Sequence, residues 1–265
     1  MKLIIDAHIH FDQYNEEQRK IILKEMAQFN VTHLIAVSTD LSSSKVNLKL
    51  AQNDKRILPA FGFHPEQVML GESEQAQLFE WIRAHHDEMV AIGEVGLPYY
   101  LKQEKELLYQ PYIDLLEKFI ALAAEMDKPI ILHAVYEDAH IVYGLLEKYN
   151  VTAAHFHWFK GDTQVVKRMI KNGYFISITP DVLYEKEIQQ LVKHYPLEQM
   201  MVETDGPWPF EGTFSGKMTH PIMIRASIEK LASIKQLPFE EVSTKLYENT
   251  QKFYRLKYSS PFLKV

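Results

Sequence analysis

The sequence predicts a (β/α)8 TIM barrel folded as a single domain. Eight short apolar runs alternate with helical stretches along its 265 residues, and about 250 residues is the usual size of that architecture. Most of the runs are continuously apolar, as strands covered on both faces are. No linker-like or low-complexity stretch divides the chain, so the predicted domain spans 1–265. A doubly wound open sheet is the alternative built from the same elements, and strand count separates the two.

The first run, LIIDAH at 3–8, leads to a helix opened by Asn15 with Glu16 and Glu17 in its first turn. A side-chain acceptor followed by acidic residues satisfies free amides and complements the helix dipole. Ile21, Ile22, Met26 and Phe29 give that helix an apolar face. HLIAVS at 33–38 precedes a helix near 43–53, and ILPAFGFH at 57–64 precedes one near 74–88. VAIGEVG at 90–96 precedes a long helix near 103–127, and PIILHA at 129–134 one near 137–149. VTAAHFH at 151–157 precedes a helix near 162–172, and YFISIT at 174–179 one near 185–194. MMVETD at 200–205 comes before two closing helices near 220–235 and 239–254.

Composition narrows the function. The formal net charge is −6, whereas proteins that grip long duplex DNA are usually basic. Any nucleic-acid contact is therefore expected to be local to a site, at DNA ends or on a small phosphodiester. There are no cysteines, which excludes disulfides and thiolate metal sites. A metal would have to be held by histidines and carboxylates, which suits zinc, manganese, nickel or magnesium. No apolar run approaches membrane-spanning length, and MKLIIDAHIH does not read as a signal peptide. A cytoplasmic location without membrane contact is the expectation.

Polar residues fall at corresponding places in the units. His8 and His10 end the first strand, His64 follows the third, Glu94 ends the fourth and His133 the fifth. His157 ends the sixth and Asp205 follows the eighth. In a barrel all these ends lie on the C-terminal face, where active sites form. Taken singly, a strand histidine is more often a hydrogen-bonded core residue than a ligand. Together, paired histidines, a glutamate and an aspartate make a ligand set for divalent ions. Neutral imidazoles hold a metal without cancelling its charge, and a carboxylate can bridge two. A bridged pair generates hydroxide near neutral pH and steadies charge on a phosphoryl or acyl group.

The sixth strand carries a second His-x-His, His155 and His157. They share a face and lie about 6.6 Å apart, at about 3.3 Å per residue. The expectation is one ligand, His157, with His155 as a supporting histidine hydrogen-bonded beneath the site.

With IDAHIHFD, GEVGL, a fifth-strand histidine, HWFKG and ETDGP in order, the chain resembles the TatD family of metal-dependent hydrolases, within the amidohydrolase-like barrels. The likeness runs from IDAHIHFD to ENTQKFY. It implies that His8, His10 and Asp205 hold a first metal, that Glu94 bridges, and that His133 and His157 hold a second. It gives Asp205 the handling of the nucleophilic water and His64, in GFHPE, a contact with substrate. The activity it implies is that of a deoxyribonuclease of the 3′-5′ exonuclease type working through metal-bound hydroxide.

The chain also departs from the family pattern. GLPYY puts Pro98 where the family often has an aspartate, and HAV puts Val135 where it often has an arginine. MTHP, at 218–221, stands near the family's Arg-Asn-x-Pro stretch. A guanidinium suits phosphate because its fork is bidentate, so a hydrolase of a small ester, lactone or amide is the alternative function. Lys160, Lys217 and Arg225 are the candidate replacement cations, each also readable as a solvated surface group. Tyr99, Tyr100, Trp158, Phe159, Trp208 and Phe210 follow strand ends. Trp158 and Trp208 flank ligand motifs and are the candidates for stacking on a flat substrate group; the other reading is loop packing.

Overall fold

The computed structural model describes residues 3–256; the remainder of the predicted 1–265 domain lies outside the described residues. Eight parallel strands run in sequential order around a nearly closed barrel, with helices between them. The strands are β1 (Ile4–Ile9), β2 (Val31–Ala36), β3 (Ile57–Phe63), β4 (Ala91–Gly96), β5 (Ile130–His133), β6 (Ala154–Phe156), β7 (Phe175–Ile178) and β8 (Met200–Val202). The open doubly wound sheet is thereby excluded.

Backbone ladders join β1 through β8 in turn. The seam between β8 and β1 is closed differently, by residues beyond the end of β8. The Asp205 N–H donates to the His8 carbonyl at 3.0 Å, and the His10 N–H to the Gly206 carbonyl at 2.8 Å. Lower in the seam, the buried Asp6 carboxylate accepts the Thr204 N–H at 3.0 Å and the Thr204 hydroxyl at 2.6 Å.

The helices are α1 (Glu16–Glu25), α2 (Leu41–Asn53), α3 (Glu72–Ala84), α4 (Tyr99–Glu104), α5 (Gln110–Met126), α6 (Asp138–Lys148), α7 (Thr163–Lys171), α8 (Lys186–His194), α9 (Ile224–Lys235) and α10 (Phe239–Phe253). Asn15 caps α1 as its sequence predicts, exchanging hydrogen bonds with Gln18 in a full capping box. The face of α1 is narrower than expected: Ile22 and Met26 are buried, but Ile21 is 45% exposed.

The long helix expected over 103–127 is two helices. Residues 105–109 separate α4 from α5, and Pro111 sits in the first turn of α5. Proline fits the first turn because that amide has no helical partner, and it disfavours helix in the residue before it. The stretch at 220–223 opens as a 3-10 turn, Pro221–Met223, before α9 begins.

Burial is layered. A large apolar cluster lies between strands and helices. A smaller one, with Ile5, Val37, Ala60, Ile131 and Met201, draws on strand residues together with Phe253 and Tyr254 at the end of α10. His155 and Ser177 contact Tyr254 directly or through one another. No described helix is long and apolar enough to cross a membrane.

Candidate metal centre

Glu94 organises the centre. It lies two residues before the end of β4, not at its end, and is fully buried. Its Oε2 stands 3.2 Å from His8 Nε2 and 3.3 Å from His10 Nε2. Asp205 Oδ1 stands 3.4 Å and 3.3 Å from the same two nitrogens. His8 is inside β1 and His10 follows its last residue, so alternate positions bring both rings to one place.

The other oxygen of Glu94 serves a second group. Oε1 lies 2.6 Å from His157 Nε2 and 3.0 Å from His133 Nδ1, and those nitrogens are 3.2 Å apart. His133 is the last residue of β5, and His157 follows β6. His64 Nε2 approaches the same oxygen at 3.4 Å. The six predicted ligands are thus brought together as two donor groups sharing one carboxylate.

The donors fit divalent ions. Zinc bonds nitrogen and oxygen at about 2.0–2.1 Å, which puts neighbouring ligands about 3 Å apart. His8 Nε2, Glu94 Oε2 and Asp205 Oδ1 are buried, and none makes a hydrogen bond despite that proximity. Buried polar atoms are rarely left so, and unpaired lone pairs gathered at one place are what a cation requires. Compact donor triplets are present at His8–His10–Glu94 and at His64–Glu94–His133.

The charges point the same way. Burial opposes protonation of His10, yet the carboxylates of Asp205 and Glu94 beside it overcome burial and raise its pKa to about 10. For Asp205, burial pushes upward but His10 and His8 hold the carboxyl well below the usual range. Glu94 is likewise held low against burial, by His157, His64 and His8. The negative potential that draws a proton into the group would also draw a metal, in competition with it.

His64 differs from the other histidines. Its Nδ1 accepts the Glu66 N–H at 3.2 Å, so in the neutral ring the proton is on Nε2. Burial, outweighing Glu94, lowers its pKa to about 4. The neutral His64 therefore presents an N–H donor beside Glu94 rather than a lone pair, which agrees with a contact to substrate better than with a metal ligand.

Beneath the donors runs a buried chain of polar groups. Tyr254 contacts the Ala7 carbonyl at 3.1 Å and His155 Nδ1 at 2.8 Å. His155 Nε2 is 2.5 Å from Ser177 Oγ, which reaches Glu203 Oε2. The other Glu203 oxygen accepts the Trp158 N–H at 2.9 Å and lies 3.8 Å from His157 Nδ1. His155 touches none of the carboxylates at the centre and is placed as a support. Burial holds its pKa well below the ordinary histidine value. With a neutral imidazole and a carboxylate, three protons serve four contacts in this chain, so one contact is unmade at any instant.

The centre opens into a cleft of about 880 Å³ lined by His10, His64, Tyr100, Trp158, Trp208 and Lys160 among others. Trp158 is pinned in a left-handed backbone conformation, φ 37°, which costs a bulky residue about 1–3 kcal/mol. Its N–H bond to Glu203 and its indole N–H bond to Asp181 at 2.5 Å hold it there. Trp208 stands 5.8 Å from it, edge to face, and is 58% exposed. Phe159 and Phe210 are buried and pack. Lys160 lies over the Trp158 ring at 5.7 Å and is the one Lys or Arg among the described residues lining the cleft, which also holds Glu66, Glu104 and Val135. Arg225 instead pairs with Glu229 on α9, and Lys217 lies over Phe214; neither lines the cleft.

Sequence reasoning missed Glu66, Glu203 and Asp181. Glu66 and Glu203 stand inside quoted motifs, GFHPE and ETDGP, beside the residues singled out there. Asp181 had no such signal.

Comparison with known proteins agrees with this geometry. A family model described as TatD related DNase matches residues 5–255. An uncharacterized metal-dependent hydrolase of Haemophilus influenzae is 42% identical over 256 residues, covering 96% of this chain and 100% of the relative. Among solved structures, a TatD homolog from Escherichia coli superposes with a TM-score of 0.80 at 24% identity, covering 96% of this chain and 98% of its own. A TatD family hydrolase from Entamoeba histolytica gives 0.82 at 19%, with 96% and 98% covered.

Proposed function

Because the chain belongs to the TatD-related family of metal-dependent hydrolases, we propose that it hydrolyses phosphodiesters at the ends of single-stranded DNA, releasing mononucleotides. The observation that carries this reading is Glu94, whose two oxygens face two separate donor groups at the floor of an aromatic-walled cleft. His8, His10, Asp205 and Glu94 would hold one divalent ion; Glu94, His133 and His157 would hold the other. Bound there, two ions supply the positive charge that activates water and steadies an in-line phosphoryl displacement.

The protein's own groups do the rest. Asp205 lines the cleft and is held ionised, with Oδ1 turned to the histidines. Its Oδ2 accepts the proton of the attacking water. As the P–O bond to the departing sugar breaks, that proton passes to the leaving oxygen. The His64 Nε2–H donates to a non-bridging phosphoryl oxygen, Trp158 and Trp208 offer faces to the terminal base, and Lys160 offers charge to a phosphate. The test is release of mononucleotides from single-stranded DNA with zinc, manganese or magnesium added in turn. No release from protein of measured metal content overturns it.

A second reading has a specific observation in its favour. Val135 lines the cleft, and Glu66 and Glu104 outnumber its single lysine, a poor setting for a polyanion. On that reading the substrate is a small ester, lactone or amide. Turnover of such a substrate without nuclease activity would select it.

A further inference from the structure

Glu66 makes more contacts to the centre than any group outside the ligand set requires. Its main-chain N–H donates to His64 Nδ1 at 3.2 Å. Its carboxylate meets His133 Nε2 at 3.2 Å through Oε1. The same carboxylate accepts the Tyr100 N–H at 2.9 Å and the Leu101 N–H at 2.6 Å. Those amides belong to the first turn of α4, whose Tyr100, Leu101 and Glu104 form one wall of the cleft. Two of the centre's histidines and one wall of the cleft therefore meet at a single residue from the β3–α3 loop, His64 at its main chain and His133 and α4 at its carboxylate.

We propose that Glu66 is the positioning residue of the second donor group, and that through it an ion bound there stiffens the α4 wall. The inference rests on the donor groups holding metal. His133 turns Nδ1 toward Glu94 and His157. A neutral ring that gives the Nδ1 lone pair to a metal must carry its proton on Nε2, where Glu66 accepts it. Without the ion nothing reserves Nδ1, and the ring can donate from Nδ1 to Glu94 as well as from Nε2 to Glu66. Loading thus fixes a charge-assisted bond to the carboxylate that holds the first turn of α4. Coupling of this kind is reciprocal: an ordered α4 keeps the carboxylate in place and favours the ion. Regular structure around α4 is sparse: residues 105–109 follow it without helix or strand, and Pro98 precedes it with no side-chain cap.

The test uses zinc itself and reads binding and exchange, not hydrolysis. Zinc affinity is measured by competition with a chromophoric chelator, and amide hydrogen exchange is followed at Tyr100 and Leu101. In the unsubstituted protein, zinc slows exchange at those two amides. Glu66→Ala weakens one zinc about 10- to 100-fold, as losses of outer-shell partners do, leaves the other unchanged, and removes the effect of zinc on exchange. Glu66→Gln keeps an acceptor for His133 but cannot accept both amides, so it retains most of the affinity and loses the protection; it also stands in if the alanine variant fails to fold. Equal affinities in all three proteins, or exchange at 100 and 101 indifferent to zinc, overturns the proposal. Failure of the unsubstituted protein to bind zinc at all overturns the metal reading instead.

Discussion

His8 and His157 stack 4.0 Å apart with their rings within 13° of parallel, although they come from β1 and from the end of β6, strands that share no ladder. Each turns Nε2 to a different oxygen of Glu94, His8 to Oε2 and His157 to Oε1. The two donor groups therefore stand back to back, with one carboxylate as their common member.

Glu94→Gln is expected to break both groups at once. A glutamine has one acceptor oxygen, and its amide nitrogen is a donor with no lone pair for a cation. If two ions are held as proposed, metal analysis should fall from two per chain to one or none. Hydrolysis should drop by more than the roughly 10- to 100-fold that follows loss of an outer-shell partner. Two ions retained at full occupancy would show that Glu94 does not bridge.

Lys160 is expected to set the preference for charged substrates. A hydrogen bond to a charged group contributes about 1.5–3 kcal/mol, so Lys160→Ala should raise KM for an anionic ester about tenfold or more. It should leave KM for a neutral ester unchanged. Equal effects on the two substrates would place Lys160 outside the recognition of charge.

Asp181 gives the cleft wall a pH dependence. Burial raises its carboxyl to about 6, against hydrogen bonds from Thr179 and Trp158 that pull it down. An acid whose pKa is higher folded than unfolded favours the fold in its protonated form. Its contribution is present below the ordinary value of 3.8 and is lost as pH rises through about 6. Asp181→Asn should flatten that part of the stability curve, read by denaturant unfolding at several pH values. Asp6, raised to about 7 by burial, supplies a slope of the same sign that the substitution leaves in place. An unaltered curve would remove Asp181 from the account.

His155 is expected to matter for stability and not for metal content. His155→Phe keeps a ring but removes the contacts to Ser177 and Tyr254, which keep Glu203 and the Ala7 carbonyl as partners, at about 0.5–1.5 kcal/mol for each hydrogen bond lost. Thermal unfolding should begin several degrees lower, with bound metal unchanged. Loss of an ion would make His155 part of the ligand set.

The barrel was legible because each unit repeats one pattern, an apolar run then a helical stretch. Chemistry-bearing residues at the C-terminal ends of those runs converge whatever the details of the loops. The same logic explains why His155 could be told from His157: a spacing of two residues puts one at the rim and the other a layer below. The break at 105–109 was not legible, because Lys102, Gln103 and Glu104 favour helix and only Pro111 argues for a restart. Ile21 does not share the buried side with Ile22 and Met26, because neighbours on a helix are about a hundred degrees apart. Glu66 was hidden because its role depends on α4, an element with no strong signal of its own. Asp181 meets Trp158 only through the folded barrel, so no local spacing announced it.

The seam between β8 and β1 bears on when the centre comes into being. His8 and His10 are synthesised long before Asp205, with seven strands' worth of chain between them, yet all three face one another across that seam. No part of the growing polypeptide can assemble the first donor group until β8 has docked beside β1. Metal capture there is therefore a late event in the birth of the molecule. An ion held by these residues clasps the two ends of the barrel together and registers that the ring of strands has shut.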